Sequence, residues 1–146
     1  MSQDKIKFKI ITPEKTVFES EVDQATLPVS DGEVTILPKH RPYIASLKPG
    51  EIMLKAQGKE TSLVVSGGFI EFNQNNLTVL ADTAERAEEI DLQRAEEARA
   101  RAEEIKKERI SMDDSEYARV AASIEKELAR IKVGRKHHSR RGITID

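Results

Sequence analysis

Gly67-Gly-Phe-Ile-Glu-Phe-Asn-Gln-Asn-Asn-Leu-Thr-Val-Leu-Ala-Asp-Thr-Ala-Glu-Arg-Ala-Glu-Glu-Ile-Asp-Leu-Gln-Arg-Ala95 is where a strand pattern gives way to a helix pattern. Its first part holds two short apolar runs, Phe69 to Phe72 and Leu77 to Ala81, separated by Asn73-Gln-Asn-Asn76. β-Branched and aromatic runs between turn formers read as strands. From Glu85 to Ile110 there is no Pro or Gly, and the composition favours helix.

Toward the amino terminus the strand pattern continues. Ile6, Phe8 and Ile10 alternate with Lys5, Lys7 and Lys9, the period of a strand with one wet face. Thr12-Pro-Glu-Lys15 supplies a turn. Further runs follow at Thr16 to Val22, Ala25 to Leu27, Val34 to Leu37, Tyr43 to Leu47, Ile52 to Ala56 and Ser62 to Val65. Ser30-Asp-Gly32, Pro49-Gly50, Gly58 and Gly67-Gly68 punctuate them. The spacing predicts an antiparallel sandwich or flattened barrel over residues 1–84. Gly67-Gly68 reads as a tight bend or bulge, since no lysine or following helix completes a phosphate cradle there.

Toward the carboxyl terminus, Ala95, Ala98, Ala102 and Ile105 make one apolar stripe. Ser111-Met-Asp-Asp-Ser115 interrupts it, and Asp113 with Glu116 three residues on resembles a capping box, with Ser111, Asp114 and Ser115 competing for the cap. Tyr117, Val120, Ala121, Ile124, Leu128 and Ile131 then form a second helical face. Two helices joined by about five residues fold back as an antiparallel hairpin, expected over 85–133, with 134–146 a basic, flexible tail. A mostly alanine face buries little area, so the expected hairpin holds together weakly and can open or re-pack.

Composition divides at the same place. Residues 85–146 carry 30 of the 50 charged residues and ten of the eleven arginines, whereas all five prolines lie in the first half. The net charge of −2 argues neither for nucleic acid nor against it, but the aromatics are not interleaved with basic residues as a nucleic-acid stacking surface requires. The absence of cysteine excludes a disulfide framework and a thiolate metal site. No apolar run approaches the ~20 residues that span a bilayer, and Met1-Ser-Gln-Asp-Lys5 is not a secretory signal. The expectation is a soluble chain, or one held at a membrane only through partners. There is no P-loop, nucleophile elbow or His-Glu-x-x-His motif. His137-His138 lacks the spacing that aims two imidazoles at one metal. The sequence therefore predicts a non-enzyme with no metal site.

Three segments carry a resemblance. Ser30-Asp-Gly-Glu-Val-Thr-Ile-Leu-Pro-Lys-His-Arg-Pro42 with Leu47-Lys-Pro-Gly-Glu-Ile52, Ser66-Gly-Gly-Phe-Ile-Glu71 with Leu77 through Asp91, and Tyr117 through Val133 together resemble the epsilon subunit of F-type (rotary) ATP synthases. The likeness runs in order over residues 5 to 133. It implies a β-sandwich that attaches to the rotor, touching the gamma subunit and the c-ring, followed by a movable two-helix domain. By position in the motif, Glu33 faces the c-ring and His40 lies near gamma; the alternative is a solvated turn glutamate and a loop histidine without that role. Thr35 stands where the family commonly has glycine, and Arg41 and Tyr43 are bulkier than usual.

Ile90-Asp-Leu-Gln-Arg-Ala95 matches the motif (Ile or Leu)-Asp-x-x-Arg-Ala, which in some bacterial members is associated with regulatory ATP held by the folded hairpin. The candidate ATP-binding residues are Ile90, Asp91, Arg94, Ala95, Arg101, Lys126 and Arg130. Helical spacing puts Ile90, Arg94 and Arg101 near one face, and guanidinium forks suit phosphates. Lys126 stands where the family's nucleotide-binding pattern prefers arginine, and it offers a point charge without the fork. The alternative is that Asp91 caps the helix and the arginines pair with glutamates. In the family an extended carboxyl-terminal domain inserts beside the catalytic head of alpha and beta subunits and restrains hydrolysis. The basic stretch Arg130 to Arg141 suits an acidic neighbour there. The implied role is a non-catalytic rotor subunit of a proton- or sodium-translocating complex, on the cytoplasmic face of the bacterial plasma membrane or the stromal face of the thylakoid. The alternative function is a free-standing adaptor with the same architecture.

Overall fold

The structure, a computed structural model, describes residues 4–107 and 113–140. Two compact units divide at Arg86 and Ala87. The first contains ten strands: β1 (Ile6–Ile11), β2 (Thr16–Val22), β3 (Gln24–Val29), β4 (Gly32–Ile36), β5 (Tyr43–Leu47), β6 (Gly50–Ala56), β7 (Lys59–Val65), β8 (Gly68–Asn73), β9 (Asn76–Ala81) and β10 (Ala84–Arg86). They follow the order β10-β7-β6-β3-β5-β8-β9-β1-β2, with β4 beside β3, as one sheet wrapped into a sandwich, a nearly closed barrel. The alternation read from β1 is kept: Ile6, Phe8 and Ile10 are fully buried. They join Leu27, Ile52, Leu63, Ile70, Phe72 and Leu77 in the core.

One feature departs from a purely antiparallel reading. β1 and β9 pair in parallel, Phe8 opposite Leu77, because β1 enters between β9 and β2 with its own direction set by the β1–β2 hairpin. The hairpins β6–β7 and β8–β9 turn on Gln57-Gly58 and Gln74-Asn75, all four at positive φ. Two-residue turns of that handedness match the strand twist. Gly67 and Gly68 sit at φ 132° and 136°. A Cβ on Gly68 would overlap the Leu80 carbonyl oxygen, so the reading of a close backbone approach at a bend fits what is seen.

The helix expected from Glu85 begins later. Ala84–Arg86 is β10, pairing with β7 in the register Ala84↔Val65 and Arg86↔Leu63. An open sheet edge supplies hydrogen bonds to backbone that composition alone would make helical. A single 3-10 turn, Ala87–Glu89, follows, then α1 (Leu92–Lys107) and α2 (Asp114–Arg140). Asp91 caps α1: its carboxylate accepts from the Arg94 N–H at 3.1 Å and its carbonyl from the Ala95 N–H at 3.0 Å. The Asp113–Glu116 capping box forms reciprocally at α2, with N–H to carboxylate distances of 2.8 and 3.2 Å. Ser111 and Met112 lie outside the described residues.

The tail reading is corrected over 134–140, where α2 continues as helix. Ile131, Val133 and Gly134 are buried, and that packing holds the backbone where charge pattern alone suggested none. Residues 141–146 lie outside the description. The apolar stripes also shift. Leu128 and Ile105 are 45% and 49% exposed, while Glu127 is buried. The inward side of α2 drifts from Tyr117, Ala121 and Ile124 toward Glu127, Ile131 and Gly134. At 3.6 residues per turn, one stripe drifts out of contact over the 27 residues of α2.

Candidate functional site

The residues expected at a nucleotide site are arranged along the hairpin in a specific way. Ala95 is fully buried between the helices and Ile90 nearly so. Ile90 precedes the cap instead of sharing a helical face with the arginines, so the expected face of Ile90, Arg94 and Arg101 is not formed. The Arg94 side chain is 83% exposed, with Nε 3.7 Å from Asp91 Oδ2. Arg101 is exposed as well, and Lys126 is half-buried. Arg130 is drawn inward: its Nη1 donates to Glu127 Oε2 at 2.8 Å, in a pair that is little exposed on either side. The pairs brought together are thus Asp91 with Arg94 and Glu127 with Arg130. Of the alternative reading, the Asp91 cap and one arginine–glutamate pair, Arg130 with Glu127, are present, while Arg94 meets Asp91 instead.

Sequence reasoning missed two members of this region. Glu127 is not among the residues expected at the site, and only the drift of α2 turns it inward. Arg99, half-buried on α1, has its Nε buried without a hydrogen-bond partner. Near the end of α1, Lys106 Nζ stands 5.4 Å from the Tyr117 ring centroid.

In the β unit, Glu33 is exposed on β4 opposite Pro28. His40 lies beyond the other end of that strand, so the two are not gathered into one cluster. The loop carrying His40 is pinned. Asn75 Oδ1 accepts from the Lys39 N–H at 2.6 Å, and Lys39 Nζ pairs with Asp4 at 3.0 Å. The His40 ring stands edge-on to Tyr43 and Phe72 at 5.9 and 5.8 Å, with Nδ1 2.7 Å from the Arg41 carbonyl oxygen. Its aromatic partners fix it as a packing element of this loop. Thr35 uses the side chain that glycine lacks: its hydroxyl meets that of Thr26 across β3 and β4 at 2.9 Å.

A feature absent from the expected list is the outer face of β5, β8 and β9. The register sets Ser46 beside Phe69 and Phe69 beside Leu80, with Ile44 two residues along β5 on the same side. Ile44, Phe69 and Leu80 are 75%, 60% and 53% exposed. Adjacent large apolar side chains left in water mark a surface suited to a partner. The sequence signal was present but ambiguous, because Phe69-Ile-Glu-Phe72 puts large apolar residues on both faces of one strand.

A small wrapped sheet with an apolar outer row, followed by two capped and paired helices, defines a two-part protein of β unit plus helical hairpin. Comparison with known proteins makes this specific. The profile of the "ATP synthase, Delta/Epsilon chain, beta-sandwich domain" family matches residues 5–87, and that of the "ATP synthase, Delta/Epsilon chain, long alpha-helix domain" matches residues 88–134. The ATP synthase epsilon chain of Dehalococcoides mccartyi is 44% identical, covering 90% of this chain and 94% of its own. That of Herpetosiphon aurantiacus is 40% identical, covering 92% and 98%. In fold, a chain of the Euglena gracilis mitochondrial ATP synthase superposes with a TM-score of 0.73 at 22% identity, covering 87% of this chain and 79% of that one. The chain belongs to the ATP synthase delta/epsilon family, as an epsilon-type, non-catalytic subunit of an F-type ATP synthase.

Proposed function

We propose that the chain sits in the central stalk, where its β-sandwich couples the catalytic head to the c-ring and its helical hairpin restrains ATP hydrolysis. The observation that carries this reading is that the family match runs unbroken across both units, residues 5–87 and 88–134. The exposed row of Ile44, Phe69 and Leu80 suits the gamma subunit, whose contact would cover it; Glu33, at an exposed strand end, suits the c-ring. His40 acts on the gamma contact by shaping its loop. The basic end of α2 faces the alpha and beta subunits when the hairpin extends. No described helix is long and apolar enough to cross a membrane, consistent with attachment through the complex. The proposed location is the cytoplasmic face of a bacterial plasma membrane.

Inhibition is a population shift between closed and extended hairpin. Regulatory ATP favours the closed form through Arg94, Arg101, Lys126 and Arg130, with Ile90, Asp91 and Ala95 building the turn beneath them. As the pairs stand, ATP would have to displace Asp91 from Arg94 and Glu127 from Arg130. The test is co-purification of tagged full-length chain, followed by hydrolysis assays. Recovery of gamma, alpha and beta, with faster hydrolysis when α2 is deleted, supports the reading; recovery of none of them refutes the stalk assignment. An NMR titration of the labelled chain with ATP, beside Arg94→Ala, tests the ligand. Saturable shifts lost in the variant support it, and no shifts to millimolar ATP remove ATP from the mechanism.

A further inference from the structure

The open end of the hairpin carries a glycine where a helix disfavours one. α2 passes unbroken through Gly134, which is buried. A Cβ built there would stand 2.7 Å from Leu92 Cδ2, 3.1 Å from Ile90 Cγ2 and 3.3 Å from Leu92 Cγ. Ile90 and Leu92 flank the Asp91 cap, so the start of α1 presses directly on the α2 backbone. Where no partner approaches, glycine weakens a helix relative to alanine.

We propose that Gly134 is a latch that biases the hairpin toward its closed form without nucleotide. The proposal rests on the reading of a hairpin that closes and extends. In the closed form the missing side chain admits Ile90 and Leu92 against α2. Because α2 is already helical through Gly134 in the closed form, the propensity cost of glycine is common to both forms and cancels. The close approach alone favours closure, and a side chain at 134 opposes it. Leu92 is half-buried and flexible enough to yield to one methyl group, whereas nearly buried Ile90 resists a larger group. The ion pair between Arg135 Nη2 and Glu96 Oε1, 2.7 Å long, lies beside the latch. Its partners are 68% and 48% exposed, so it adds little. The latch is packing, not charge.

The chain has no cysteine, so spin labels at Gln93→Cys and Lys132→Cys, both exposed positions, report the distance across the open end. Without ATP, the chain with native Gly134 is expected to give a dominant short distance. Gly134→Ala should raise the long-distance population about fivefold, the factor that corresponds to roughly 1 kcal/mol, the low end of the cost of overpacking a buried contact. Gly134→Leu should make the long distance dominant, and Arg135→Ala should leave the distribution unchanged. A distribution that Gly134→Ala and Gly134→Leu both leave intact, or that Gly134→Ala shifts further toward closure, overturns the latch. A large response to Arg135→Ala would overturn the claim that packing does the holding. Should Gly134→Leu lose helix by circular dichroism, Gly134→Ala still decides, since alanine favours helix. The variants are also assembled into the complex. An opened hairpin with unchanged hydrolysis keeps the latch and sinks the regulatory reading, whereas changed hydrolysis with an unopened hairpin sinks the latch.

Discussion

Gly67 and Gly68 offer a paired test of why the β unit needs glycine where β8 begins. Both have φ near +135°, at 132° and 136°, so alanine at either meets similar backbone strain, about 1–3 kcal/mol. They differ in space. A Cβ on Gly67 meets Asp82 Oδ2 at 3.5 Å and the Leu47 carbonyl oxygen at 3.6 Å, ordinary contacts. On Gly68 it overlaps the Leu80 carbonyl oxygen and stands 2.9 Å from Ala81 Cα, all unyielding backbone. Relief requires β8 and β9 to part where Gly68 pairs with Ala81. Losing one or two ladder hydrogen bonds there costs about 1 kcal/mol each. Gly68→Ala is therefore expected to destabilise by about 2–5 kcal/mol, roughly 1–2 kcal/mol more than Gly67→Ala, a gap of about five- to thirtyfold in the folding constant. Urea unfolding of the full chain, followed through the amide signals of Ile70 and Val79, measures both. Equal losses, within about half a kcal/mol, would refute the account based on space.

Other expectations test the site. Ile44→Asp and Phe69→Asp should weaken recovery of the gamma subunit at least tenfold while leaving the melting temperature nearly unchanged, since both side chains already face water; normal recovery would move the contact to another face. Asp113→Ala should cost α2 about 1 kcal/mol through loss of the reciprocal cap, seen as faster amide exchange at Glu116, and unaltered exchange would refute the cap. Glu127→Gln removes the charge that occupies Arg130, so ATP affinity in the NMR titration should rise roughly fivefold. An unchanged or weaker affinity would show that Arg130 does not meet phosphate.

The helix starts were legible because their signals are local, whereas the expected face of Ile90, Arg94 and Arg101 is not formed. The Asp113–Glu116 box and the Asp91 cap need only residues within one turn, and both are found formed. Glu127 and Leu128 show the limit. Their sequence favours leucine inward, and only the crossing of α1 and α2 selects the glutamate. The row of Ile44, Phe69 and Leu80 was hidden for a related reason: it is assembled from three strands whose register no single segment encodes.

By itself the sequence determined the division into a strand-rich and a helix-rich half, the two turns that end in Gly58 and Asn75, and the capping signals at the start of each helix. These follow from backbone preferences and hydrogen bonds between near neighbours, which any copy of the same short segment would repeat. Only the tertiary structure decided the parallel β1–β9 pairing, the capture of Ala84–Arg86 as an edge strand and the continuation of α2 past Gly134. Each depends on a surface offered by chain distant in sequence, and the free energy of covering it outweighs a local preference worth about 1 kcal/mol per residue at most, apart from proline.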